Sequence, residues 1–185
     1  MATLIARLEI LVGTAALLLI ATTVHAQPPS FAGRWTASPE ATSTAGGRGG
    51  SDAVSLASTM GSGLGTMLTI EQNAAALIVE RAQFSQYDIQ PPMRLTYALD
   101  GSESRNTINM GRGPQELISK AAWQDRSLVI TTQYRFKNPR SGSDETSDLK
   151  QVLSFDASGS LVVTTTLGVA LGGPASTTST TYKKS

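Results

Sequence analysis

Between Leu117 and Phe136 the side chains alternate with a period of two, and no other stretch limits the possible folds as much. Leu128, Ile130, Thr132, Tyr134 and Phe136 fall on one face, while Val129, Thr131, Gln133 and Arg135 fall on the other. Successive side chains of a strand point to opposite sides, so β-branched and aromatic residues at every second position read as a half-buried strand. Trp123 closes a preceding strand, and Gln124-Asp125-Arg126 supplies the turn between the two. The unit then recurs. Phe155-Asp156-Ala157-Ser158-Gly159 leads into Ser160-Leu161-Val162-Val163, much as Trp123-Gln124-Asp125-Arg126 leads into Ser127-Leu128-Val129-Ile130.

The rest of the chain follows the same period. Phe31 to Thr36 reads as a first strand. Residues 37–65 are rich in Gly, Ser, Thr and Ala, bury little apolar surface, and read as a flexible insertion with at most a helical turn or two over Val54–Met60. Further strands are expected at Thr66–Glu71, Ala76–Ala82, Met93–Leu99 and Arg105–Met110, and then, beyond the central pair, at Leu149–Phe155, Ser160–Leu167 and Ser176–Lys184. Phe84 to Gln90 reads as a link ended by Pro91-Pro92, Lys137 to Thr146 as a polar loop, and Asp100-Gly101 as a hairpin turn. That makes about ten strands and no convincing helix. Short turns make neighbours antiparallel, and closure removes exposed edges. The expected class is therefore all-β, an antiparallel up-and-down meander closing into a barrel of about 8–10 strands. A two-sheet sandwich is the competing architecture. Leu, Ile, Val and aromatics fill the inside, Thr, Lys, Arg and Gln coat the outside, and Trp35 and Trp123 serve as buried anchors.

Residues 1–26 read as a secretory signal peptide. Arg7 precedes an apolar run from Ile10 to Ala21, and Val24-His25-Ala26 offers small residues at both cleavage-site positions. The run is shorter than the roughly 20 apolar residues of a membrane span. Glu9 offsets Arg7, and an uncleaved anchor is the alternative. The processed domain, residues 27–185, is expected to be exported to the periplasm or beyond, with no integral membrane span. The chain holds no Cys, and its one His, His25, leaves with the signal peptide. Ser-His-Asp and Cys-His catalysis and His- or Cys-based metal sites are thereby excluded from the processed chain. A net charge of +1 gives no electrostatic reason to expect nucleic acid as a partner.

Gly33-Arg34-Trp35 resembles the Gly-x-Trp of lipocalins and other calycin barrels, in which the Trp plugs the closed end beneath a basic residue from a late strand. Lys183 or Lys184 would supply that cation here. The second lipocalin motif, Thr-Asp-Tyr, is missing. The chain is more similar to secreted bacterial lipocalin-like domains, through Phe31-x-Gly33-x-Trp35, the Gly-rich insertion, Tyr97-x-Leu99-Asp100-Gly101-Ser102, Trp123 before Leu128-Val129-Ile130, and the terminal Thr-Tyr-Lys. The resemblance spans most of residues 27–185. It implies a barrel and export from a Gram-negative-type cell, and no particular activity.

The remaining candidates are few. Ser147-Asp148-Leu149-Lys150 has the Ser-x-x-Lys spacing of penicillin-recognising enzymes, yet on a strand residues three apart face opposite ways. Asp144, Glu145 and Asp148 carry hard oxygen ligands suited to calcium but lack the alternating spacing of a calcium-binding loop. Carboxylates for glycoside hydrolysis would come from Glu71, Glu80, Asp88, Glu103 or Glu116, with no cleft foreseen to unite them. Tyr97, Tyr134 and Tyr182 fall on the expected inward face and, with Trp123, are the candidate lining of a small apolar cavity. The leading expectation is an exported, non-catalytic barrel that binds a small apolar or amphipathic ligand and needs no cofactor or metal. The alternative is a structural or protein-interaction module of the cell envelope. An outer-membrane barrel is disfavoured by charges at Arg94, Lys120, Arg135 and Lys150 on the outward face.

Overall fold

A computed structural model describes residues 27–38, 43–45, 64–84, 89–109, 114–137, 142–168 and 175–185. The expected signal peptide, most of the Gly-rich insertion and the helical turn over 54–60 lie outside the described residues. The strands are β1 (Gly33–Ala37), β2 (Ser43–Ala45), β3 (Met67–Gln72), β4 (Ala76–Phe84), β5 (Ile89–Ala98), β6 (Glu103–Asn109), β7 (Pro114–Gln124), β8 (Ser127–Lys137), β9 (Asp144–Phe155), β10 (Leu161–Leu167) and β11 (Ser176–Lys184). They form one antiparallel sheet in the order β5-β4-β3-β1-β11-β10-β9-β8-β7-β6, with β2 added to β11 off that path.

Apart from the short β2, each strand lies beside its neighbours in sequence, and the first and last strands join the two ends. Trp35 of β1 stands opposite Lys184 of β11. Only β5 and β6, linked by the turn at Leu99–Ser102, face each other without a main-chain ladder. Side chains bridge that seam. Thr96 N–H donates to Asn106 Oδ1 at 2.8 Å, Asn106 Nδ2 donates to Thr96 C=O at 3.0 Å, and Ala98 N–H donates to Ser104 Oγ at 2.7 Å. The result is a nearly closed up-and-down barrel rather than a sandwich.

Its inside is read off by parity. Along β9, Ser147, Leu149, Gln151 and Leu153 are buried while Asp144, Thr146, Asp148 and Lys150 are exposed. Leu77, Ala121, Leu128, Leu153 and Leu161 have no exposed surface at all. Each fully buried large aliphatic side chain contributes about 1.5–3 kcal/mol. The outward faces carry ion pairs, such as Arg94 with Glu71 and Glu80, and Arg105 with Glu116.

The structure departs from the sequence expectations in four places. β9 begins at Asp144, inside the expected polar loop, because pairing with β8 continues through Arg135 opposite Thr146 to Lys137 opposite Asp144. Pro91 and Pro92 lie within β5, where the register shifts between Arg81 and Gln83 and where the strand borders the seam. Prolines fit such a site because an edge or bulge asks for no ladder N–H. Arg81 and Gln151 face inward although Arg and Gln were assigned to the outside. Trp123 is only partly buried, packing against the core from its margin, whereas Trp35 is buried as expected.

Candidate functional site

One end of the barrel is plugged by aromatic rings. Phe31 is fully buried, its ring stacked on Trp123 at 5.7 Å and tilted against Phe155 at 5.0 Å. Trp123 and Phe155 are the equivalent residues of the repeated hairpin unit, so the repeat delivers two rings to one neighbour. Trp35 joins them at 5.9 Å from Phe155, and its indole Nε1–H donates to the Phe31 carbonyl at 2.9 Å. The segment before β1 is held by Gln72, which accepts from Phe31 N–H at 2.8 Å and donates to Pro29 C=O at 3.1 Å. Lys184 Nζ lies 5.7 Å from the Trp35 ring centroid, a cation–π contact. Of the two lysines expected there, Lys184 takes the position. Gly33 makes room for it. Its φ of +145° suits glycine, and a Cβ there would meet Lys184 Cε at 3.0 Å.

Away from the plug the lumen turns polar. Arg81 enters it from β4 as the next inward position after Leu77 and Val79, and its Nε donates to Met93 Sδ at 3.2 Å. Tyr97, Tyr134 and Tyr182 come from β5, β8 and β11, all buried, and each feels the Arg81 charge. The hydroxyl of Tyr182 donates to the Gly65 carbonyl at 3.0 Å. Ser119 and Thr132 share a hydrogen bond of 2.8 Å across β7 and β8. Ser147, opposite Tyr134 in the β8–β9 pairing, is buried, and its hydroxyl makes no hydrogen bond among the described residues. The three candidate tyrosines are thus all buried, and all interact electrostatically with the half-buried Arg81. Trp123 belongs to the plug instead.

Burial sets the electrostatics of this layer. It pulls the Arg81 guanidinium below its ordinary 12.5, an effect that Tyr134, Tyr97 and Tyr182 partly offset. An arginine remains charged at neutral pH regardless. Burial pushes the Tyr97 phenol well above 10, against the pull of Arg81. Tyr134 is raised by burial and then by Tyr97, again opposed by Arg81. Burial also carries Tyr182 up to about 12. All three phenols therefore stay neutral at physiological pH and act as hydroxyl donors or acceptors.

Other sequence candidates fall elsewhere. Ser147 faces in and Lys150 faces out, so the Ser-x-x-Lys pair is split across the sheet. Glu71, Glu103 and Glu116 are exposed, and the partly exposed Glu80 pairs with Arg94 on the outer face. Asp88 lies outside the described residues. Among the described residues no group of three or more acidic side chains gathers to hold a metal ion. No helix among them is long and apolar enough to cross a membrane. Arg94, Lys120, Arg135 and Lys150 are all exposed on the outer face. A concavity of about 410 Å³ lies over β1, β3, β4 and β5 and includes Arg34, Trp35, Met67, Glu80, Arg81 and Pro92 in its lining. It takes in both outward residues, such as Met67, which is 50 % exposed, and the inward Trp35, Leu68 and Arg81.

Of the polar layer, Arg81 was missing from the sequence candidates, and Ser147 stood among them only as half of the Ser-x-x-Lys pair. Parity alone identifies both, since Arg81 follows Leu77 and Val79, and Ser147 precedes Leu149, at intervals of two.

Fold and lumen together define an all-β, nearly closed up-and-down barrel, plugged by aromatics at one end and holding a buried polar layer above them. That architecture is compatible with a lipocalin-like fold. No family model matches the chain, and no curated protein matches it.

Proposed function

We propose that this chain is an exported, non-catalytic barrel of lipocalin-like type that binds a small amphipathic ligand in the polar layer of its lumen. The observation that carries the reading is Arg81, a half-buried cation at an inward position of β4 whose charge is felt by the buried Tyr97, Tyr134 and Tyr182. Burying charge and hydroxyl groups is costly, and a core built only for stability is served better by apolar side chains. Ligand sites combine apolar walls with a few convergent polar groups, which is the composition of this layer. Export follows from the leader-like pattern of residues 1–26.

The test is uptake of phenylnaphthylamine, an uncharged dye that brightens in apolar surroundings, together with native mass spectrometry of the purified chain. A retained small molecule or saturable dye uptake is expected. A bare mass combined with no dye uptake overturns the proposal.

The concavity favours a second reading, a protein-interaction module of the cell envelope, because Met67 is exposed at its wall. Met67→Glu separates the two. It abolishes capture of an envelope partner in that reading and leaves dye uptake unchanged in the first.

A further inference from the structure

We propose that the processed chain begins with a pyroglutamate ring: once the leader is removed, the α-amine of Gln27 closes on its own side chain and the barrel starts from a lactam. This rests on the reading of residues 1–26 as a cleaved leader, and one mass measurement separates the failure of either.

Cleavage after Val24-His25-Ala26 makes Gln27 the first residue. A leading glutamine holds a nucleophile and an amide within reach of each other. An α-amine titrates at about 7.7–8.0, so part of it is unprotonated at neutral pH. Its lone pair attacks Cδ of the side-chain amide, because the ring that closes has five members. The new bond from the α-nitrogen to Cδ replaces the bond from Cδ to Nε2. Nε2 leaves as ammonia, taking the proton that the α-nitrogen gives up. No oxidant, metal or second substrate enters the balance.

The fold leaves both groups free to react. Gln27 is exposed, and its side chain makes no hydrogen bond or ion pair among the described residues. The grip on the chain starts two residues later. Gln72 Nε2 donates to the Pro29 carbonyl at 3.1 Å, and Gln72 Oε1 accepts the Phe31 N–H at 2.8 Å. That clamp fixes Pro29 and Phe31 without touching Gln27, so ring closure breaks no contact of the folded state. Residues 27–33 carry no charged side chain, and the lactam removes the α-ammonium as well. The whole lead-in to β1 is then uncharged as far as Arg34.

A closed terminus matters because little chain separates it from the plug. Only residues 27–30 precede Phe31, which is fully buried and stacks on Trp123. An exopeptidase that removed them would take the Pro29 carbonyl from Gln72 and turn the buried Phe31 N–H into an α-ammonium. Burying that charge is costly, and the plug would loosen. A lactam gives an aminopeptidase no α-amine to hold, and Pro28 and Pro29 stand directly behind it.

The experiment expresses the full chain with its leader in a Gram-negative host and holds the purified protein at neutral pH until its intact mass stops changing. Trypsin then releases residues 27–34 for tandem mass spectrometry. The expected product is residues 27–185 less one ammonia, with the loss located at residue 27 and no free α-amine. Gln27→Asn would have to close a strained four-membered ring, so that chain should start at the same position and keep both its ammonia and its α-amine. Aminopeptidase should shorten the Gln27→Asn chain and leave the wild type at constant mass.

Residues 27–185 at full mass with a free α-amine overturn the ring and leave the leader standing. A chain that still holds residues 1–26, or one that begins elsewhere, overturns the cleavage and the ring together. Loss of ammonia from the Gln27→Asn chain as well puts the loss at another amide and overturns the ring. Equal trimming of the two chains overturns the protection of the plug.

Discussion

The side-chain amide of Asn106 takes the place of a strand for Thr96. Its Oδ1 accepts the Thr96 N–H at 2.8 Å and its Nδ2 donates to the Thr96 carbonyl at 3.0 Å. The backbones of β5 and β6 thus exchange through one side chain the two bonds that paired strands exchange directly. This explains how a barrel can stay nearly closed with its seam between two consecutive strands. Ser104 repeats the device one step nearer the turn, accepting from Ala98 N–H.

Asn106→Ala should therefore open the seam locally. Thr96 is exposed, so water partly replaces the lost bonds, and the cost should be about 1–2 kcal/mol rather than that of a buried orphan. Amide exchange at Thr96 and Ala98 should accelerate while Val129 and Val152, in the β8–β9 ladder, stay protected. Uniform loss of protection, or none, would contradict this account of the seam.

The plug gives an ordered prediction for its rings. Phe31 and Trp35 are buried, and each truncation to Ala should cost about 3–5 kcal/mol. Trp123 lies partly in solvent and loses mainly its stack on Phe31, so Trp123→Ala should cost less, about 1–3 kcal/mol. Urea denaturation of the three variants checks the order, and a larger loss for Trp123→Ala than for Trp35→Ala would reverse the assignment of the plug.

The repeated hairpin makes plain which parts of this fold were legible. Leu128 to Tyr134 and Leu149 to Leu153 obey strict alternation, because buried strand faces enforce a period of two, and β11 runs over the residues the sequence marks. Pro91 and Pro92 were misread because a proline says only that a ladder bond is absent. It does not say whether the strand has ended or has reached an edge. Asp144 to Thr146 were misread because pairing with β8 overrides a polar composition. The candidate site was half visible. Three tyrosines stood out as aromatics on the inward face, but residue type sent Arg81 to the surface while its parity with Val79 sent it inward. Charge was the wrong cue there, and the backbone period was the right one.

A pH effect follows at the β9–β10 turn. Asp156 Oδ1 accepts from Ser158 Oγ at 2.7 Å and from the N–H groups of Ser158 and Ser160, each at 2.9 Å. The Ser158 hydroxyl, then these amides, hold its carboxyl below the ordinary 3.8. A depressed folded value means that the stabilisation is present above the unfolded pKa and is lost as pH falls through the folded one. Carbon-detected titration should show Asp156 ionising below 3.8, and Ser158→Ala should move it back up towards that value. An unshifted carboxyl in the wild type would dissolve the turn network.

The tyrosine layer sets the alkaline limit of the fold. Four tyrosines occur in the chain, and Tyr97, Tyr134 and Tyr182 are buried with phenols raised above 10, Tyr182 to about 12. A raised folded pKa stabilises fully below the unfolded value and ceases to do so as pH climbs through the folded one. Between pH 10 and about 12, near-ultraviolet absorbance should register no more than one ionised tyrosine of the four. Above that range the rest should ionise together with loss of the sheet signal, since exposing one phenol opens the lumen to the others. Arg81 opposes the upward shift in all three, so Arg81→Met should delay their ionisation further where the fold survives. Ionisation of three tyrosines near pH 10 with the sheet intact would show that the phenols lie in water, and the polar layer would lose its claim to be part of the interior.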